Sequence, residues 1–198
     1  MSHIMIISFA AAFTGAFLES KYEPSTLIGL DGVGPTGLPQ AFGITPVILA
    51  GLSFWILIHG FLVVGAARNK YIELAEKDGE KEVKARYGMP NLYAQGTSKN
   101  ALAFNCVQRS HQQIFETFPQ TCLLSMVGAV HYPITIAATL TVYAIGRYTL
   151  SMCYAAADGD ADKRYSSKLA PWTWYGYIST MVVAAVSGVS FLVGKAVL

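Results

Sequence analysis

Ile44-Thr-Pro-Val-Ile-Leu-Ala-Gly-Leu-Ser-Phe-Trp-Ile-Leu-Ile-His-Gly-Phe-Leu-Val-Val-Gly-Ala66 is a run of 23 residues whose single ionisable side chain is His59. A helix of roughly 20 apolar residues crosses the hydrocarbon core of a bilayer, so this stretch predicts a membrane span. The rest of the chain agrees. Of 198 residues, 53% are hydrophobic and 13% are charged, about half the ~25% usual in soluble domains. Mean hydropathy is +0.41. A soluble domain of this length cannot bury that much apolar surface. The composition argues against a disordered chain, a basic nucleic-acid binder and a disulfide-stapled secreted module. Cys106, Cys122 and Cys153 are odd in number and lie in apolar stretches, so they read as small buried hydrophobes. No C-x-x-C or H-x-x-x-H spacing occurs, and no metal site is expected.

Outward from that span the chain divides readily. Ile4 to Leu18 is a shorter apolar run with no preceding Lys or Arg. Its fifteen residues are short for a span, and it reads as a signal-like leader, an interfacial helix or a buried arm. Residues 20–43 are rich in Gly and Pro and read as loop. Beyond Ala66 the composition turns polar through Asn100, with a charged helical piece expected over Tyr71–Arg86. Ala101–His131 predicts a second span in two halves, polar then apolar, with Pro119 between them as a kink. After a turn at His131-Tyr132-Pro133, residues 133–157 predict a third span. A charged loop follows, and Pro171 opens a fourth span ending near Leu198. The expected fold is all-α: an integral-membrane four-helix bundle over residues 44–198, with residues 1–43 as an N-terminal extension. Lys and Arg concentrate in the loops after the first and third spans, which places both on the cytosol-like side.

Arg109 and Arg147 lie inside the predicted spans, where a charge is costly and by default functional. At 100° per residue, Asn105, Arg109, Gln112 and Glu116 fall within about 60° of one another. Gln108 and Gln113 flank them. Tyr143, Arg147, Ser151 and Tyr154 share a face of the third span, with Asp158 at its exit. A guanidinium, a carboxylate and amides on one stripe suit a small zwitterionic ligand, and the two stripes together predict one polar cleft. The alternative is a structural network, with Arg109 pairing to Glu116 and Arg147 snorkelling to the interface.

Phe104-Asn-Cys-Val-Gln-Arg-Ser-His-Gln-Gln-Ile-Phe-Glu-Thr-Phe-Pro119 resembles the signature of the MAPEG family, membrane proteins of eicosanoid and glutathione metabolism. Ala67-Arg-Asn-Lys-Tyr71, Met89-Pro-Asn-Leu-Tyr93, Gly128-Ala-Val-His-Tyr-Pro133 and Gly146-Arg147 extend the resemblance over residues 44–198. It implies a homotrimer of four-helix subunits that binds glutathione between neighbours near the cytosolic face. It also implies a lipophilic or lipid substrate drawn from the bilayer. By position, Arg68, Arg109, Gln113, Glu116, Arg147 and Tyr154 are the implied glutathione contacts. Arginines suit its carboxylates and Glu116 its ammonium. Arg164, with Lys163 second, is the implied catalytic residue, stabilising the thiolate. The sequence departs from the family at Gln113, where Asn is usual, at Thr117, where some members have Tyr, and at Leu150, which replaces a Tyr. The N-terminal extension and an enlarged first loop are additions. They suit a second reading, a non-catalytic subunit of a larger membrane assembly.

Overall fold

A computed structural model describes residues 2–195 and 197–198. Met1 of the expected extension and Ala196 of the expected fourth span lie outside the described residues. Among the described residues the chain is helical, with one isolated antiparallel bridge, Val33 to Pro39, in the Gly/Pro-rich segment. The long elements are α1 (Ser2–Tyr22), α2 (Gln40–Lys77), α3 (Lys99–Gln112), α4 (Phe118–Gly128), α5 (Pro133–Ala155) and α6 (Trp172–Val193). Of these, α1, α2 and α6 are long and apolar enough to cross a membrane. Helix α5 has the length, 23 residues or about 35 Å, but carries Arg147 and several Thr and Ser residues.

Two of the expected membrane segments differ from the sequence expectation. The N-terminal run is a helix of 21 residues, because it continues past Leu18 through Glu19 to Tyr22. The second expected span is two helices, with residues 113–117 forming turns between them. Pro119 sits at the start of α4, where a missing N–H costs nothing, so it begins a helix and does not kink one.

The chain forms two compact units. The first comprises residues 1–52, 117–146 and 171–198. In it α6 packs against both α1 and α4. Ala12, Ala16, Leu49, Tyr132, Ile136, Leu140 and Val183 form its core. Helices α5 and α6 meet backbone to backbone. A Cβ on Gly176 would lie 2.3 Å from the Tyr143 nitrogen, and one on Gly146 would lie 1.9 Å from the Thr173 nitrogen. Such approach is how helices associate where lipid removes the hydrophobic drive. Helix α1 is pinned by its polar atoms. Ser179 Oγ donates to the Ser8 carbonyl at 3.2 Å. The Glu19 carboxylate accepts from the Ile134 and Thr135 N–H groups at 2.8 and 2.7 Å. Glu19 thereby caps the first turn of α5, which Tyr132 has no short polar side chain to do. An apolar cavity of about 480 Å³ lies among α1, α5 and α6.

The second unit comprises residues 53–116 and 147–170. It carries twelve of the fourteen Lys and Arg residues; Lys21 and Lys195 are the others. The C-terminal part of α2 packs on α3 around Tyr71, Tyr87, Phe104 and Val107. Ser98 caps α3 by accepting from the Ala101 N–H at 3.2 Å. The charged segment is not one helix: α2 ends at Lys77 and a short turn of helix forms at Val83–Tyr87. There Glu80 bonds to Arg86 at 2.8 Å, Tyr87 at 3.0 Å and Asn100 at 3.1 Å. Burial alone would raise its pKa. Hydrogen bonds from Ser98, Asn100 and Tyr87, with the Arg86 charge, outweigh that and hold the carboxyl below its ordinary value.

Candidate functional site

All seven singled-out side chains, Arg68, Arg109, Gln113, Glu116, Arg147, Tyr154 and Arg164, belong to the second unit. Arg109 and Glu116 form an ion pair at 2.5 Å, with side chains 39% and 54% exposed. Glu116 lies beyond the end of α3, on the turn that follows. The pair remains open to a ligand, in contrast to a sealed core bridge. Beside it in sequence, Gln113 is half-buried, and its Nε2 is buried with no hydrogen-bond partner. A buried donor left unmatched costs of order 1–3 kcal/mol and calls for an explanation. An acceptor on a bound molecule is one.

Arg68 is committed within the protein. It donates to the Tyr87 carbonyl and to Gln108 Oε1, the latter at 3.5 Å, and its guanidinium lies 4.9 Å from the Phe104 ring centroid. It fastens the end of α2 to α3 and to the loop between them. Arg147 is 1% exposed, so it does not snorkel, and it does not share an open face with Arg109. Tyr143, expected on the same stripe, falls in the first unit, where its hydroxyl bonds Thr117 Oγ1 at 3.0 Å. Arg164 and Tyr154 do meet: the guanidinium lies 6.0 Å from the Tyr154 ring centroid and 5.1 Å from that of Tyr165. Arg164 also donates to the Ala161 carbonyl at 2.7 Å and lies 3.6 Å from the exposed Asp162. Lys163 points to Asp160 at 3.8 Å.

A family model, the MAPEG family, matches residues 45–193. The chain belongs to the MAPEG family. No solved structure matches it. Membership and the three apolar helices make this MAPEG chain an integral membrane protein of the all-helical type.

The sequence does not give the partners of two side chains in this unit. His59 opens a π-helical stretch, His59–Gly65, a distortion common at functional positions. Its Nδ1 lies 3.4 Å from His111 Nδ1, the rings are stacked at 5.5 Å, and Ser110 Oγ lies 3.5 Å from His59 Nε2. Gly60 leaves the room, since a Cβ there would lie 3.1 Å from the His111 ring. The signal was a lone His in an apolar run and another in the family motif, with nothing to pair them. The second is Tyr93, in a segment that carries the family resemblance, whose hydroxyl donates to Gln112.

Proposed function

We propose that this MAPEG protein is a membrane-bound glutathione transferase or peroxidase of the microsomal glutathione S-transferase 3 type, acting on lipophilic electrophiles or lipid hydroperoxides. The observation that carries the reading is the accessible Arg109–Glu116 pair beside the unmatched Gln113 amide. Glutathione has two carboxylates, an ammonium group and peptide carbonyls. The residues present fit it: Arg109 offers a planar fork to a carboxylate, Glu116 a charge to the ammonium, and Gln113 a donor to a carbonyl. Arg68, Arg147 and Tyr154 complete the proposed set; Arg68, bonded to Tyr87 and Gln108, and the buried Arg147 contribute charge from within the protein and not an open face. The three arginines of the set outnumber its one carboxylate, which suits an anionic ligand.

When bound, glutathione supplies a thiol that conjugates an electrophile or reduces a peroxide. A thiol of pKa about 8.5 is mostly protonated at pH 7. Arg164 is the residue assigned to favour the ionised form by its charge, and Tyr154 orients Arg164 through its ring. In this reading residues 44–198 are the catalytic domain of a homotrimer and residues 1–43 an added extension. The protein sits in the endoplasmic reticulum or another organelle membrane, with both basic loops toward the cytosol-like side. The test is glutathione-dependent turnover of 1-chloro-2,4-dinitrobenzene or a lipid hydroperoxide by purified protein. No such rate in a folded preparation rejects the reading.

A second reading, a non-catalytic subunit of a larger membrane assembly, is favoured by α1. It is docked through Glu19, yet leaves Ile6, Phe9, Phe13 and Phe17 exposed. Isolation as a single copy among unrelated subunits would support this reading; a stand-alone trimer would count against it.

A further inference from the structure

Residues 88–98, between the Val83–Tyr87 turn and α3, form a strap fixed at two points. The Asn105 side chain takes both backbone groups of Ala94: the Ala94 N–H donates to Oδ1 at 2.8 Å, and Nδ2 donates to the Ala94 carbonyl at 3.0 Å. One residue on, the Gln95 carbonyl accepts from Arg86 Nε at 2.9 Å and from its terminal nitrogen at 2.6 Å. Ala94 is buried by this clamp. Tyr93, immediately before it, is 40% exposed, and its hydroxyl donates to Gln112 Oε1. A phenol has one hydrogen to give and a lone pair to receive with. Tyr93 therefore gives its hydrogen to Gln112, three residues from Arg109 along α3, and Arg109 gives to Glu116.

This arrangement holds a donor beside Arg109 without needing it there for the fold. Asn105 and Arg86 already anchor the strap. The Gln112 amide is a neutral acceptor, and hydrogen bonds to ionised acceptors are roughly twice as strong as neutral ones. A carboxylate arriving on Arg109 would win the hydroxyl from Gln112 by rotation about the Cζ–Oη bond alone, with no movement of the backbone. Resting on the reading of Arg109 as part of a glutathione site, we propose that Tyr93 is a further ligand-binding residue. Its hydroxyl transfers its hydrogen bond from Gln112 to a ligand carboxylate seated on Arg109.

The test uses the full chain in nanodiscs and two probes, glutathione and S-hexylglutathione, which share both carboxylates but differ at sulfur. Wild type binds both. Tyr93→Phe keeps the ring and the strap, melts with wild type, and weakens both probes by about tenfold, the value of one hydrogen bond to a charged group. Asn105→Ala frees the strap, exposes residues 88–98 to protease, and weakens both probes by a similar factor. Equal binding by wild type and Tyr93→Phe overturns the Tyr93 assignment and leaves the glutathione reading standing. Weakening of glutathione alone places the contact at sulfur and overturns the carboxylate assignment. If wild type binds neither probe, the glutathione reading itself fails.

Discussion

Replacing Glu19 separates a helix that belongs to the fold from one that lies beside it. Its carboxylate is buried and accepts two backbone N–H groups of α5, at 2.8 and 2.7 Å, from 115 and 116 residues away. Ile134 and Thr135 sit in the first turn of a helix that begins at Pro133. Their N–H groups have no partner within the helix, and Tyr132 offers none. Glu19→Ala thus removes a cap, worth about 1 kcal/mol, and a negative charge at the positive end of a helix dipole, worth about 0.3–1 kcal/mol and more when partly buried. It also leaves two N–H groups facing apolar neighbours, and the sum comes to about 2–3 kcal/mol. For a chain of this size that lowers Tm by about 5–10 °C in thermal unfolding of detergent-solubilised protein. Glu19→Gln keeps one acceptor without the charge and falls near the midpoint. A shift of less than about 1 °C for Glu19→Ala would refute the capping argument. It would mean that the two N–H groups find water or another partner at no cost, and that α1 is held by apolar contact alone.

Three further outcomes test other parts of the account. Gly176→Ala forces a Cβ to within 2.3 Å of the Tyr143 backbone and destabilises by about 2 kcal/mol or more, whereas Gly188→Ala in the same helix meets nothing within 4 Å and stabilises by about 0.5–1 kcal/mol; paired thermal melts decide. Arg164→Ala lowers glutathione-dependent turnover at least about tenfold at pH 7 while Lys163→Ala leaves it within about twofold, and the lost rate returns as pH is raised toward that of the free thiol. The Glu80 carboxyl is held below its ordinary 4.5, so the folded state binds fewer protons there than the unfolded one. Its stabilisation is complete above that value and is lost as pH falls through the depressed one. Hydrogen-exchange protection factors of residues 78–98 should therefore fall on acidification below pH 4.5 and lose that dependence in Glu80→Gln.

The apolar run from Ile44 was legible because hydropathy alone defines it, and α2 contains all of it. The N-terminal run reads as short for a span because its apolar residues end at Leu18, whereas the helix continues through Glu19 to Tyr22. A carboxylate that caps another helix is no longer a stranded charge, and that partner is 115 residues away. The Arg109 stripe was legible from spacing. The loop contacts of Asn105 with Ala94 and of Gln112 with Tyr93 were not, since they require the loop to fold back on α3, which no periodicity encodes.

The break at residues 113–117 ties fold to site. In an unbroken helix, residues seven apart are separated by about 10.5 Å along the axis, too far for the 2.5 Å contact between Arg109 and Glu116. The helical wheel placed the two on one face correctly and for a continuous helix would have left them two turns apart. Ending α3 at Gln112 lets the chain turn and carry Glu116 back to Arg109, with Gln113 at the corner holding an unmatched donor. The interruption that prevents this stretch from being one long span is the same one that assembles the charge pair. A substitution that makes residues 113–117 helical should cost the ion pair as well as the turn.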